Sequence, residues 1–145
     1  MLCGIQGSGK TSFAARLRAS HEHVCADRLG AAGAAERVAR CLREARPFVL
    51  DDLNATAAER RRWVAAAREA GFRVTAYGFD VRPSVAVRRN ACRTPAAQVP
   101  WGGIVGTARR LQAPSLDEGF DALWRVDEDG RAEPVAARAP RARAA

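Results

Sequence analysis

The chain has 145 residues, 48% of them hydrophobic, and a formal net charge of +8. That is enough apolar material for one domain with a core, and the absence of any run of about 18 apolar residues excludes a membrane-spanning helix. Four acids and four arginines cancel from Asp127 onward, so the positive excess belongs to residues 1–126; it suits a polyphosphate or nucleic-acid partner, although a bias toward arginine alone would give the same basic surface.

Short apolar runs alternate with helical stretches along the chain, the pattern of a parallel sheet covered on both faces. Met1–Cys3 form a first strand, short beside the usual length of about 5–6 residues. The chain then enters GIQGSGKT at Gly4–Thr11. Because this motif starts so early, no signal or transit segment is expected and the protein is read as cytoplasmic.

The motif fits G-x-x-x-x-G-K-[ST], with Gly4, Gly9, Lys10 and Thr11 at the defining positions. Lys10 is the one lysine; the other 23 of the 24 basic residues are arginine. A compact ammonium fits a phosphate cradle where a planar guanidinium is too wide. Gly4, Gly7 and Gly9 let backbone N–H groups approach phosphate oxygens, and Ser8 is small enough for the turn. The helix from Lys10 to Ala19 aims its positive end at the same oxygens. Thr11 offers a hydroxyl to Mg²⁺. The spacing is G-x-x-G-x-G, which excludes the dinucleotide fingerprint. A single lysine leaves none for the N-K-x-D motif of a GTPase.

A second strand, His23–Ala26, ends at Asp27, and Ala31–Ala45 forms a helix. Phe48–Leu50 is a buried strand ending at Asp51. Thr56 and Glu59 form a capping box that opens a helix through Ala70, stopped by Gly71. Phe72–Phe79 is the next strand. Pro83 begins a helix to about Cys92. Arg93–Gly103 is irregular, Ile104–Gln112 helical, and Ala122–Val126 a last strand. The tail 127–145, rich in Ala, Pro and Arg, has little to bury and is expected to lack structure.

In such a sheet a nucleotide site lies beyond the carboxyl ends of the strands, where the loop, Asp27 and Asp51 all fall. Cys3, Cys25, Cys41 and Cys92 form no C-x-x-C and read as reduced core thiols, with Cys25 close to the expected site. His21 and His23 read as surface histidines, since no third ligand accompanies them. Arg60, Arg61 and Arg62 read as a solvated face ahead of a buried Trp63. Asp52 reads as a solvated loop acid. Trp101 fits either a substrate base or lid packing.

With the loop, Asp27-Arg28-Leu29, FVLDDLNAT (48–56), RRNACR (88–93) and SLDEGFD (115–121) in place, the chain resembles the P-loop kinases of the polynucleotide kinase type, often catalogued as AAA-like ATP-binding kinases. The resemblance runs from about Leu2 to Val126. It implies a P-loop NTPase-like three-layer α/β/α sandwich, with a mostly parallel sheet and a short lid. It also implies transfer of the γ-phosphate of ATP, with Mg²⁺, to a hydroxyl. The 5′-OH of a nucleic acid is the leading acceptor and a small hydroxyl substrate the alternative; a non-catalytic ATP-binding module is a third reading. By that resemblance Asp27 is the general base, Asp51 joins Thr11 at the metal through a bound water or else orients an arginine, Asn54 is structural, and Arg89 and Arg93 are lid arginines closing on the phosphates. Arg89 and Arg93, four apart, are expected on one side of a helix end. Leu53 stands where the family has Thr, and Gly30 where an arginine often stands.

Overall fold

The computed structural model describes residues 1–139. β1 (Leu2–Cys3) lies at the centre of a sheet with β2 (Glu22–Cys25), β3 (Phe48–Asp51), β4 (Thr75–Phe79), β5 (Ala122–Val126) and β6 (Ala132–Ala137). The order is β2-β3-β1-β4-β5-β6. Neighbours from β2 to β5 are parallel, and β6 runs antiparallel along β5. The connections carry α1 (Lys10–Ala15), α2 (Ala26–Arg43), α3 (Ala57–Glu69), α4 (Pro83–Ala91) and α5 (Trp101–Arg110).

Successive strand residues face opposite sides of a sheet, and both sides here are apolar. Val49, Phe79 and Val126 pack with Phe13 of α1, Val85 of α4 and Ile104 of α5. On the other side Val24 and Leu50 meet Val38 and Cys41 of α2, while Ala76 and Leu123 meet Val64 and Ala67 of α3. This is the three-layer α/β/α arrangement that the alternating pattern predicts. It accounts for strands that read as continuous apolar runs.

Element ends shift (α1 stops at Ala15, α2 starts at Ala26 and β4 at Thr75), and three larger features differ from expectation. Residues 132–137, expected without structure, form β6 as far as the description extends; 140–145 lie outside the described residues. An edge strand needs one backbone ladder and little apolar surface, so composition does not announce it, and Pro134 is tolerated there. α5 starts at Trp101, and a 3₁₀ turn at Pro95–Ala97 interrupts the irregular segment before it.

The third difference is Arg60. It is 0% exposed, not part of a solvated face. Its Nε and Nη2 donate to the two carboxylate oxygens of Glu118 at 2.6 and 2.7 Å, and Nη1 donates to the carbonyls of Asn54 and Gln112 at 2.8 and 2.9 Å. A planar fork with four satisfied bonds ties α3 to the 3₁₀ turn Leu116–Glu118 and to the loop after β3. Arg62 keeps the expected solvent side, stacked over a half-buried Trp63 at 4.2 Å.

Candidate active site

β1 delivers the chain to Gly4, whose amide donates to the Leu53 carbonyl at 2.9 Å, while Asn54 Nδ2 donates to the Leu2 carbonyl at 2.7 Å. The loop after β3 thus braces the start of the phosphate loop, which gives Asn54 its structural part. At Gly7 the backbone has φ +76, and a Cβ would stand 2.4 Å from the Ala86 carbonyl oxygen. Gly9, at φ +100, is the N-cap of α1. No other residue type fits Gly7 without moving α4.

Lys10 is 8% exposed. Its Nζ donates to the carbonyls of Gly4 and Ile5 at 2.9 and 2.8 Å. An ammonium has three donors, and these two bonds are to the loop itself. Burial pushes the Lys10 pKa down, opposed by the charges of Asp51, Asp27 and Asp52. Two buried side-chain oxygens, Gln6 Oε1 and Ser8 Oγ, have no hydrogen-bond partner. Both belong to this loop. Natural cores seldom leave such groups unpaired without a functional reason.

A cavity of about 70 Å³ opens on Gly7, Gly9, Lys10 and Thr11, with Asp27, Asp51 and Arg93 around it. Asp52 and Gln6 line it too. Asp52 was missed as a site residue, although the Asp51-Asp52 pair at a strand end was the available signal. Three carboxylates face one lysine, a donor set suited to a hard divalent cation with oxygen ligands. Thr11 and Asp51, the expected metal residues, sit on this cavity. A larger cavity of about 460 Å³ lies over β4 and β5, lined mostly by apolar residues such as Leu111, Pro114 and Leu123, and holds no part of the phosphate loop.

Asp27 reaches the cavity because α2 begins directly after β2. Gly30, at φ +69 and ψ 169, breaks α2 after its first turn and sets that turn apart. That φ is one an arginine adopts only with strain, which is the physical sense of the glycine at this position.

The two arginines expected in a lid separate. Arg93 lines the cavity with Asp27 and Asp51. Arg89 instead donates from Nη1 to the Ser8 carbonyl at 3.4 Å and from Nη2 to the Glu128 carbonyl. It lines a second cavity of about 250 Å³ with Ser8, Phe13, Arg16 and Gly130. They do not share a helix side because α4 ends at Ala91, so Arg93 lies beyond its C-cap, Cys92. Glu128 is held against Arg82 by two bonds of 2.8 and 2.9 Å, chiefly responsible for a Glu128 pKa lowered to about 2.

His23 is not a surface residue. It lies in β2 with its side chain 6% exposed, its Nε2 2.9 Å from Oδ2 of Asp51, which is 3% exposed. Cys92 is exposed, whereas Cys3, Cys25 and Cys41 are the buried thiols expected. Trp101 is 66% exposed at the start of α5.

Residues 26–102, more than half of the chain, match the sequence profile of the AAA domain family. The chain belongs to that family. Solved structures share its fold. A gluconokinase from Sinorhizobium meliloti 1021 is 16% identical with a TM-score of 0.60, over 87% of this chain and 79% of that one. The AvrRxo1-ORF1:-ORF2 complex contains a chain 18% identical with a TM-score of 0.64, over 94% of this chain and 56% of that one. The PezAT chromosomal toxin–antitoxin system of Streptococcus pneumoniae contains one 12% identical with a TM-score of 0.58, over 90% of this chain and 67% of that one. At these identities the likeness is one of fold. Among the described residues no helix is long and apolar enough to cross a membrane.

Proposed function

We propose that the protein is an ATP-dependent phosphotransferase that moves the γ-phosphate to a hydroxyl. The observation that carries this is the phosphate loop itself: a buried lysine bonded only to its own loop, two unpartnered loop oxygens, and three carboxylates facing them across one small cavity.

The residues fit ATP and Mg²⁺. Lys10 and the amides from Gly7 to Thr11 hold the phosphates. Thr11 and Asp51 hold the cation, which when bound neutralises charge on the transferring phosphoryl group. Asp27, exposed at the cavity's rim, orients the acceptor hydroxyl and takes its proton. Arg93 brings a guanidinium to the charge that spreads over the equatorial oxygens. Gly9 and Ser12 line both the small cavity and the one beside Arg89, so the two adjoin and the second is the candidate place for the nucleoside end of ATP.

The leading acceptor is the 5′-OH of a nucleic acid. Its support is the basic excess of residues 1–126, Arg93 at the cavity, and the exposed Trp101 ring on the same lid segment. A small hydroxyl compound is the second reading, favoured by the narrowness of the cavity, about 70 Å³, and by the fold shared with a gluconokinase. The test is γ-labelled ATP with Mg²⁺ and a panel of 5′-OH oligonucleotides, nucleosides and sugar acids. Label on the oligonucleotide supports the first reading, and label on a small acceptor alone replaces it with the second. No labelled product from any acceptor, with Asp27→Asn indistinguishable from wild type, overturns phosphotransfer.

A further inference from the structure

One cluster at the edge of this site shares only Asp51 with the proposed phosphoryl transfer. His23, Cys25 and Asp51 each bring a different donor element, and their ligating atoms all lie within 4.8 Å of one another. The sheet puts them there. Cys25 is the register partner of Asp51 across the parallel pair β2–β3. His23 precedes Cys25 by two residues, so both side chains leave β2 on one face, while Val24 between them packs against α2. Cys25 is buried, and the His23 and Asp51 side chains are nearly so.

The hydrogen bonds define the resting state of the ring. Arg28 and Arg18 present Nη2 to His23 Nδ1 at 3.2 and 3.4 Å. A guanidinium only donates, so Nδ1 accepts and the ring proton sits on Nε2, donated to Asp51 Oδ2 at 2.9 Å. Thus Nε2, a carboxylate oxygen and a thiol sulfur converge, held in position from behind by long, exposed side chains.

We propose that His23, Cys25 and Asp51 form a binding site for a thiophilic divalent cation of the zinc class, whose occupancy withdraws Asp51 from the phosphate loop. Four ligands around Zn²⁺ at about 2.0–2.3 Å stand roughly 3.2–3.8 Å apart. The His23–Asp51 separation of 2.9 Å therefore has to widen slightly, and the Cys25 sulfur, within 4.8 Å of both, closes by up to about 1 Å through rotation of its side chain. Three protein ligands leave a fourth position for water. Magnesium, which takes oxygen ligands, is not served by a nitrogen and a sulfur. The proton balance is simple. The Cys25 thiol proton leaves to solvent; the ring exchanges its Nε2 proton for one on Nδ1, and Arg18 and Arg28 turn outward into water. One proton is released per ion bound.

The effect on catalysis rests on the phosphotransferase reading; the binding does not. The metal-stripped full chain, without nucleotide or Mg²⁺, is titrated with Co²⁺ as a coloured substitute. The expected result is a thiolate-to-cobalt charge-transfer band and the intense visible bands of a tetrahedral ion, saturating at one equivalent and abolished by Zn²⁺. Cys25→Ser loses the charge-transfer band and Cys92→Ser keeps it. In the unmutated chain Zn²⁺ also slows alkylation of the buried Cys25 in sub-denaturing urea, where local opening exposes it, a readout that stands if Cys25→Ser fails to fold. In the kinase assay, Cys25→Ser raises the Zn²⁺ needed for half-inhibition by at least about tenfold. A titration without a charge-transfer band, a band that survives Cys25→Ser, or Cys25 alkylated equally with and without Zn²⁺ overturns the proposal. A cobalt spectrum from a protein with no phosphotransfer leaves this site standing and removes the other reading. Phosphotransfer without the spectrum does the reverse.

Discussion

Two cationic side chains, Arg60 and Lys10, are buried among the described residues, and they are buried differently. Arg60 has its guanidinium filled: a two-bond pair with Glu118 and two carbonyls. Lys10 has two carbonyls of its own loop and, among the described residues, no carboxylate within salt-bridge distance, and the same loop carries unpartnered oxygens on Gln6 and Ser8. Burying a charge is costly unless it is paired. Arg60 is paired by the fold. Lys10 is not, and on the proposed reading the phosphates of a nucleotide complete it. A closed ion pair marks architecture; an incomplete one marks a binding site.

Removing groups on either side of this contrast separates the two roles. The largest effect belongs to the binding side: Asp27→Asn lowers kcat by about 10²–10⁴-fold in a steady-state assay while ATP affinity holds. On the architectural side, Arg60→Ala strands Glu118 and two carbonyls. It costs about 3–5 kcal/mol and roughly 10 °C or more in Tm, measured by chemical and thermal unfolding. If Arg60→Ala melts like wild type, the contrast is broken. Arg93→Ala lowers kcat by about 10²-fold. Arg89→Ala, outside the cavity that Arg93 lines, is expected to show chiefly in KM for ATP. Equal effects on kcat would merge what the structure separates.

How much of this was readable from the residues follows from how local each signal is. That the loop, Asp27 and Asp51 fall together at one cavity was legible because motif spacing and strand ends are properties of short segments. Arg60 was not: three arginines in a row look solvated, and the partner that buries the first is Glu118, 58 residues away. His23 was misread for the same reason, since its partner Asp51 belongs to another strand. The separation of Arg89 and Arg93 turns on α4 ending at Ala91, and helix ends are poorly marked by propensity. β6 leans on β5 for its backbone bonds, which no composition reveals.

Smaller effects sharpen the picture. Burial sets the Lys10 pKa below its ordinary 10.5, so the folded state binds that proton more weakly than the unfolded chain. The ammonium therefore opposes folding below the lowered pKa, and the penalty fades as pH rises toward 10.5. Unfolding curves of nucleotide-free Lys10→Met and wild type are expected to differ at pH 7, with the variant more stable, and to converge at alkaline pH. A gap that widens with pH contradicts the sign. Among the thiols, burial raises Cys3 to about 11, whereas Cys92 is exposed. Mass spectrometry after brief alkylation at pH 8 is expected to find Cys92 modified and Cys3 intact.

The central claim is that Lys10 and its loop hold the triphosphate, and calorimetric titration of ATP–Mg²⁺ into wild type and Lys10→Met tests it most directly. The account predicts one-site binding to wild type and a loss of about 10²-fold or more in affinity for a variant that is folded by circular dichroism. No heat of binding to folded wild type, or equal affinity in the variant, would contradict it.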